Sequence, residues 1–160
     1  MTIQYTPIGI IHTPFKDLES MPIQPTSKAS AAGKVEIYPQ YGEGIKDLDG
    51  FSHVILLYHL HAVQRTSLQV IPFLDDEPHG IFATRAPTRP NPIGLSVVRL
   101  TGIQGNILMI EDVDILDGTP LLDIKPYVPE FDQPPDAKIG WLENARGKIK
   151  SKKSDNRFKE

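Results

Sequence analysis

The sequence contains no cysteine, which excludes disulfides, thiolate metal ligation and a cysteine nucleophile. No apolar run approaches the roughly 18 residues that a membrane-spanning helix needs, so no membrane partner is expected. The opening residues, MTIQYTPIGIIHT, lack a basic start and a long apolar stretch, so a signal peptide is not expected either. Signature loops are missing too. Gly42 and Gly44 have no third glycine and no strand–helix–strand pattern around them, and there is no P-loop, nucleophile elbow or zinc spacing. Long helices are also unexpected, because 15 prolines are spread along the chain and one in a helix interior costs about 3 kcal/mol.

What remains is ordinary globular material of 160 residues, 39% hydrophobic and 23% charged, which predicts a single domain and a cytoplasmic setting. The net charge of −3 is unevenly distributed. Residues 146–160 hold seven basic and two acidic side chains, a net +5, which leaves −8 on residues 1–145. A basic end of this kind is either a grip for RNA phosphates or a solubilising, mobile tail. The domain is therefore expected over residues 1–143 and the tail over 144–160.

Short segments rich in Ile, Val and Leu occupy residues 5–13, 34–38, 52–61, 81–84, 94–100 and 106–114, each bounded by Gly, Pro, Asp or Asn. That is a strand-and-turn pattern, and it predicts an all-β fold, a small barrel whose closure removes exposed edges. Helical periodicity is weak and confined to 44–48 and 67–74. The stretch 14–33 is too long and patternless for a simple connector, and loops of that kind are usually functional or disordered.

Three segments carry candidate chemistry. In FATRAPTRPNPIGLS, residues 82–96, three prolines stiffen a loop bearing Arg85 and Arg89, which in an extended chain point to the same side. Carbonyls without ladder partners there are free to accept bonds from a ligand, an arginine can hold a carboxylate or phosphate, and Gly94 permits close approach to the backbone. In DVDILDGTPLLDIKPY, residues 112–127, Asp117-Gly118 marks a tight turn amid four aspartates. A calcium loop is excluded because Leu116 stands where a ligand is required. In FSHVILLYHLHA, residues 51–62, a single strand would place His53, His59 and His61 on one face, yet no carboxylate follows at metal-binding spacing. Pocket-lining or core histidines are expected, and no metal.

With IGIIHTPFK ahead of them, these segments in this order resemble the TsaA-like (TrmO, also called VirR or YaeB-like) family over residues 8 to about 132. The resemblance implies a β-barrel, typically a homodimer, that binds S-adenosylmethionine without a dinucleotide-type fold. It further implies methylation of N6 of threonylcarbamoyladenosine at position 37 of tRNA, beside the anticodon. Carried over position by position, the cofactor-binding residues are Gln24, Pro25, His61, Arg85, Leu95 and Asp114, Ile115, Leu116 and Asp117. Asp117 is a candidate for positioning or accepting the N6 proton, and Lys125 and Tyr127 for orienting the threonylcarbamoyl group. Two alternatives stand beside this reading: a non-catalytic S-adenosylmethionine- or RNA-binding module of the same fold, and a metal-dependent barrel enzyme using His59 and His61. The family reading requires the proline-stiffened arginine loop and the aspartate-rich turn to meet in space.

Overall fold

Segments that alternate apolar and polar residues can bury one face only by lying side by side, and a sheet that closes on itself leaves no edge exposed. The computed structural model describes residues 1–19, 21 and 31–148. It contains strands β1 (Gly9–His12), β2 (Ala31–Ile37), β3 (His53–His59), β4 (Gln69–Val70), β5 (His79–Gly80), β6 (Ile93–Gln104), β7 (Ile107–Val113) and β8 (Thr119–Pro126). Six of them form a closed barrel in the order β1-β2-β7-β6-β3-β8, and every pairing is antiparallel. The fold is all-β, as the strand-and-turn pattern predicts.

Alternate residues fill the interior: Ile11, Val35, Val54, Leu56, Val98, Leu108 and Leu121 are fully buried. Three bulges set the phase of the wall, in β7 opposite Ala31/Gly33, in β6 between Leu100 and Gly102, and in β8 opposite Leu57/Tyr58. The first holds Asp112 at φ 61°, a left-handed conformation that Asp tolerates better than most residues. The extra residue shifts the alternation by one, so that Val113 rather than Asp112 follows Ile110 into the core. Gly105, at φ 58°, makes the two-residue hairpin turn between β6 and β7.

Several segments differ from expectation. The first strand covers only the second half of 5–13. Residues 81–84 form a 3-10 turn, Ile81–Ala83, because the Thr84 amide and hydroxyl both donate to the Ile81 carbonyl at 3.1 and 3.0 Å. β6 runs four residues beyond position 100 to pair with the first five residues of β7. Two short 3-10 helices, Pro39–Ile45 and Leu48–Gly50, take up the weak helical signal near 44–48, while 67–74 contains β4 instead.

Outside the barrel, Val70, Ile81 and Ala86 form a small satellite core with Phe73. The 3-10 helix Gly140–Lys148 packs here: Trp141 stacks on His79 at 4.4 Å, its indole N–H donates to Ala83 O at 2.8 Å, and Ala145 is buried. The expected boundary at 143/144 thus falls within this helix, and residues 149–160 lie outside the described residues. Among the described residues no helix is long and apolar enough to cross a membrane.

Candidate functional site at one end of the barrel

Strand direction decides which residues meet. β3 and β7 run towards one end of the barrel, and β6 and β8 start there. That end therefore gathers His59 and the turn after it, the residue 81–92 loop feeding β6, and the 114–118 turn linking β7 to β8. The start of β1's outgoing loop is fastened to the same turn. Thr13 Oγ1 donates to Ile115 O at 2.7 Å, and the amides of Asp117 and Gly118 donate to Phe15 O and Ile11 O at 2.8 and 2.9 Å. Gly118 takes φ 76°, the turn conformation that the Asp-Gly pair predicts.

The arginine loop and the aspartate turn do meet. Arg85 lies close enough for its positive charge to act on both Asp114 and Tyr58. Between these groups runs a hydrogen-bonded line. Ser96 Oγ donates to Asp114 Oδ1 at 2.6 Å and lies 2.9 Å from Tyr58 Oη. Burial is the main influence on Asp114, pushing its carboxyl up to about 7, while the Ser96 bond and the Arg85 charge act in the opposite direction. Burial, and then the negative charge of Asp114, holds the Tyr58 phenol above its ordinary value. Gly94 stands directly opposite Tyr58 in the β3–β6 ladder, and a Cβ there would overlap the tyrosine ring. The close approach that Gly94 permits is thus that of the protein's own Tyr58.

Arg89 corrects the expectation of two outward arginines framing free carbonyls. Its Nη1 donates to Thr84 O, Ile81 O and Ala86 O at 2.8, 3.1 and 3.3 Å, so it fastens the loop to itself. The chain bends instead of staying extended, and one amino group of the half-buried guanidinium serves the convergent carbonyls.

The remaining expected residues divide by position. His61 lies in a turn beyond the end of β3, with Nδ1 3.4 Å from Thr119 Oγ1. Since the Thr119 hydroxyl spends its proton on Leu116 O at 2.6 Å, His61 Nδ1 is the donor to it. Leu95 faces outward from β6 and is 46% exposed, whereas the Ile115 side chain is buried in the core. Both oxygens of Asp117 are engaged, Oδ1 by the Thr13 amide at 2.9 Å and Oδ2 by Lys16 Nζ at 2.6 Å. The Lys16 bond, followed by the Thr13 amide, holds this carboxyl below its usual range. Gln24 and Pro25 lie outside the described residues.

Lys125 and Tyr127 do not join this group. Lys125 is six residues beyond Thr119 along β8, roughly 20 Å at strand rise, and Tyr127 follows at the opposite end of the barrel. There Lys125 pairs with Asp123 at 2.8 Å, and the Tyr127 ring meets His53 edge-on. The reason is that Thr119–Pro126 is a continuous strand crossing the wall. His53 belongs to that far end too, and among the described residues no three His, Asp or Glu side chains gather as metal ligands.

Sequence reasoning missed Tyr58, Ser96, Thr119 and Lys16. The first two were detectable: in HVILLYH, Tyr58 shares the inward phase of Val54 and Leu56, and a buried tyrosine hydroxyl needs a partner. Ser96 is the polar residue in phase with Gly94 and Val98 on the facing strand.

Residues 10–133 match the model of the tRNA-methyltransferase O N-terminal domain. A Pyrococcus abyssi protein named "Probable S-adenosyl-L-methionine-binding protein" is 56% identical over 158 residues, covering 99% of this chain and 86% of its own. The Escherichia coli tRNA (adenine(37)-N6)-methyltransferase is 33% identical over 154 residues, 90% of this chain and 66% of its own. The crystal structure of TrmO from Pseudomonas aeruginosa superposes with a TM-score of 0.74 at 41% identity, over 88% of this chain. The chain spans 63% of the length of that solved protein.

Proposed function

Because the chain belongs to the tRNA-methyltransferase O N-terminal domain family, we propose that it binds S-adenosylmethionine at the Arg85–Asp114 end of the barrel and methylates tRNA. The acceptor in this reading is N6 of the adenosine at position 37, in its threonylcarbamoyl form. The observation that carries it is the convergence of Arg85 and Asp114 on one end of a barrel that lacks a dinucleotide-binding motif.

The donor set fits the ligand's charges. Asp114 offers a carboxylate to a cationic centre, Arg85 offers a guanidinium to a carboxylate, and His61 and the 114–118 backbone border the same space. S-adenosylmethionine, when bound, would supply a sulfonium methyl group, whose carbon an acceptor nitrogen would attack in line as the neutral thioether, S-adenosylhomocysteine, leaves. The protein's own part is alignment and water exclusion, which account for most of the acceleration in such transfers. Asp117 serves by position rather than as a base. With Thr13 and Lys16 holding its oxygens, it pins the turn that carries Asp114. The proton released by N6 passes to solvent after the transfer.

The homodimer belongs to this reading as well. Ile93 and Leu95, 42% and 46% exposed on the outer face of β6, offer an apolar strip to a second copy. In the same way, the basic residues from 146 onwards serve as a grip for tRNA phosphates that the acidic barrel cannot provide.

The test is incubation with methyl-labelled S-adenosylmethionine and tRNA from a strain lacking the modification. Label appearing on the position-37 nucleoside supports the proposal. Cofactor binding without transfer replaces it with the second reading, a binding module, which the −8 charge of residues 1–145 favours.

A further inference from the structure

Ser96 and Tyr58 sit inside the barrel among Val54, Leu56 and Val98, at 1% and 7% exposure, and neither reaches the surface where a ligand would lie. Two hydroxyls in an apolar interior need each other, but a serine and a tyrosine are not required to fill that space. An alanine and a phenylalanine would pack there with no polar atom to satisfy. What distinguishes the pair is where the line ends.

When Asp114 is ionised, the polarity of the line is fixed by proton count. A serine hydroxyl has one proton, and Ser96 spends it on Asp114 Oδ1 at 2.6 Å. The 2.9 Å contact with Tyr58 must therefore be tyrosine donating to serine. Each donor in such a chain polarises the next, so the whole line points positive at Asp114. We propose that Ser96 and Tyr58 are positioning residues of the methyl-donor site, a two-link relay that favours the ionised form of Asp114 and fixes its aim.

The inference rests on the proposed function only for its consequence in binding. Three groups face Asp114: Ser96 from β6, Tyr58 from β3 and Arg85 from the loop. Serine does not titrate, burial keeps the tyrosine protonated through neutrality, and arginine stays charged, so Asp114 is the member of this set that changes charge near pH 7. Its direction agrees with the geometry, because the Ser96 bond favours the ionised form.

The primary experiment needs no ligand. The Asp114 carboxyl carbon is followed by NMR against pH in the wild-type protein, Ser96→Ala and Tyr58→Phe. We expect the inflection to move upward by about one pH unit in Ser96→Ala and by less, in the same direction, in Tyr58→Phe. Inflections that coincide with the wild type overturn the relay. Tyr58→Phe keeps the ring that Gly94 accommodates, so it reads the relay even if Ser96→Ala fails to fold. Calorimetric titration of S-adenosylmethionine then gives the second readout. Affinity rises with pH in the wild type, and in Ser96→Ala it falls about tenfold at pH 6.5 while converging with wild type at pH 8.5. An equal loss at every pH indicates a merely structural role and overturns the proposal. If the wild type binds no S-adenosylmethionine at all, the functional reading fails while the NMR result still decides the relay.

Discussion

At the residue scale, two side chains near the site carry measurable costs. Thr88 is 1% exposed, and its hydroxyl has no hydrogen-bond partner among the described residues. A buried unpaired hydroxyl costs about 1–3 kcal/mol, so Thr88→Val, which keeps the shape, should raise stability by about 1 kcal/mol in urea denaturation. A lower midpoint would mean that the hydroxyl has a partner. Asp114 is the second. Its folded-state value, raised from 3.8 to about 7, means that the folded protein keeps a proton that the unfolded chain releases. Stability from this group is therefore full below 3.8 and falls as pH rises towards about 7. Asp114→Asn removes that slope and should be more stable than the wild type at pH 8, by on the order of 2–4 kcal/mol, with little difference at pH 4. Thermal melts across pH 4–8 check this, and parallel curves for the two proteins would contradict it. Such a carboxylate is kept at a cost to the fold, and a cationic ligand would offset that cost.

At the scale of elements, the two arginines of one loop have separate tasks. Arg85→Ala should weaken S-adenosylmethionine binding by about 1.5–3 kcal/mol with little change in melting temperature, since the side chain is exposed. Arg89→Ala leaves the Thr84 and Ala86 carbonyls without their donor and should lower stability by about 2–3 kcal/mol, with binding lost only as a consequence. Melting curves paired with binding isotherms separate the two, and the reverse pattern would refute the assignment. Nothing in TRAPTRPNP distinguishes these residues, because each arginine is flanked by small residues and prolines and the bend that turns Arg89 inward is a tertiary event. Strands such as β3 are easier to read, because the period-two burial in HVILLYH is local. β8 was harder. Its bulge opposite Leu57/Tyr58 interrupts the alternation in TPLLDIKP, so the segment is absent from the expected strands, and the strand carries Lys125 and Tyr127 away from Asp117. His61 was likewise read as strand, because the end of β3 is set by Leu60 donating to Pro92 O at 2.8 Å, a contact with a distant loop.

At the scale of the whole molecule, the site lies at one end, and the helix Gly140–Lys148 buttresses the arginine loop through Trp141 and Ala83. A truncation meant to test the basic tail must spare this buttress. Removal of residues 149–160 should leave S-adenosylmethionine affinity unchanged and weaken tRNA binding most at low salt, because the five lysines and arginines deleted, against two acids, act through phosphate neutralisation. Filter binding at several salt concentrations checks this, and an unchanged tRNA affinity would exclude the tail as the grip. The bulge at Asp112 has a consequence of its own kind. A circular wall has no loose margin along which a miscount can slide away. Were Asp112 drawn into the regular ladder instead of standing out as the extra residue, inside and outside would swap in the last stretch of β7, with Asp112 taking Val113's inward place. The surroundings of Asp114 therefore depend on counting: one extra amino acid, held in an unusual backbone shape, decides which neighbours the acid meets.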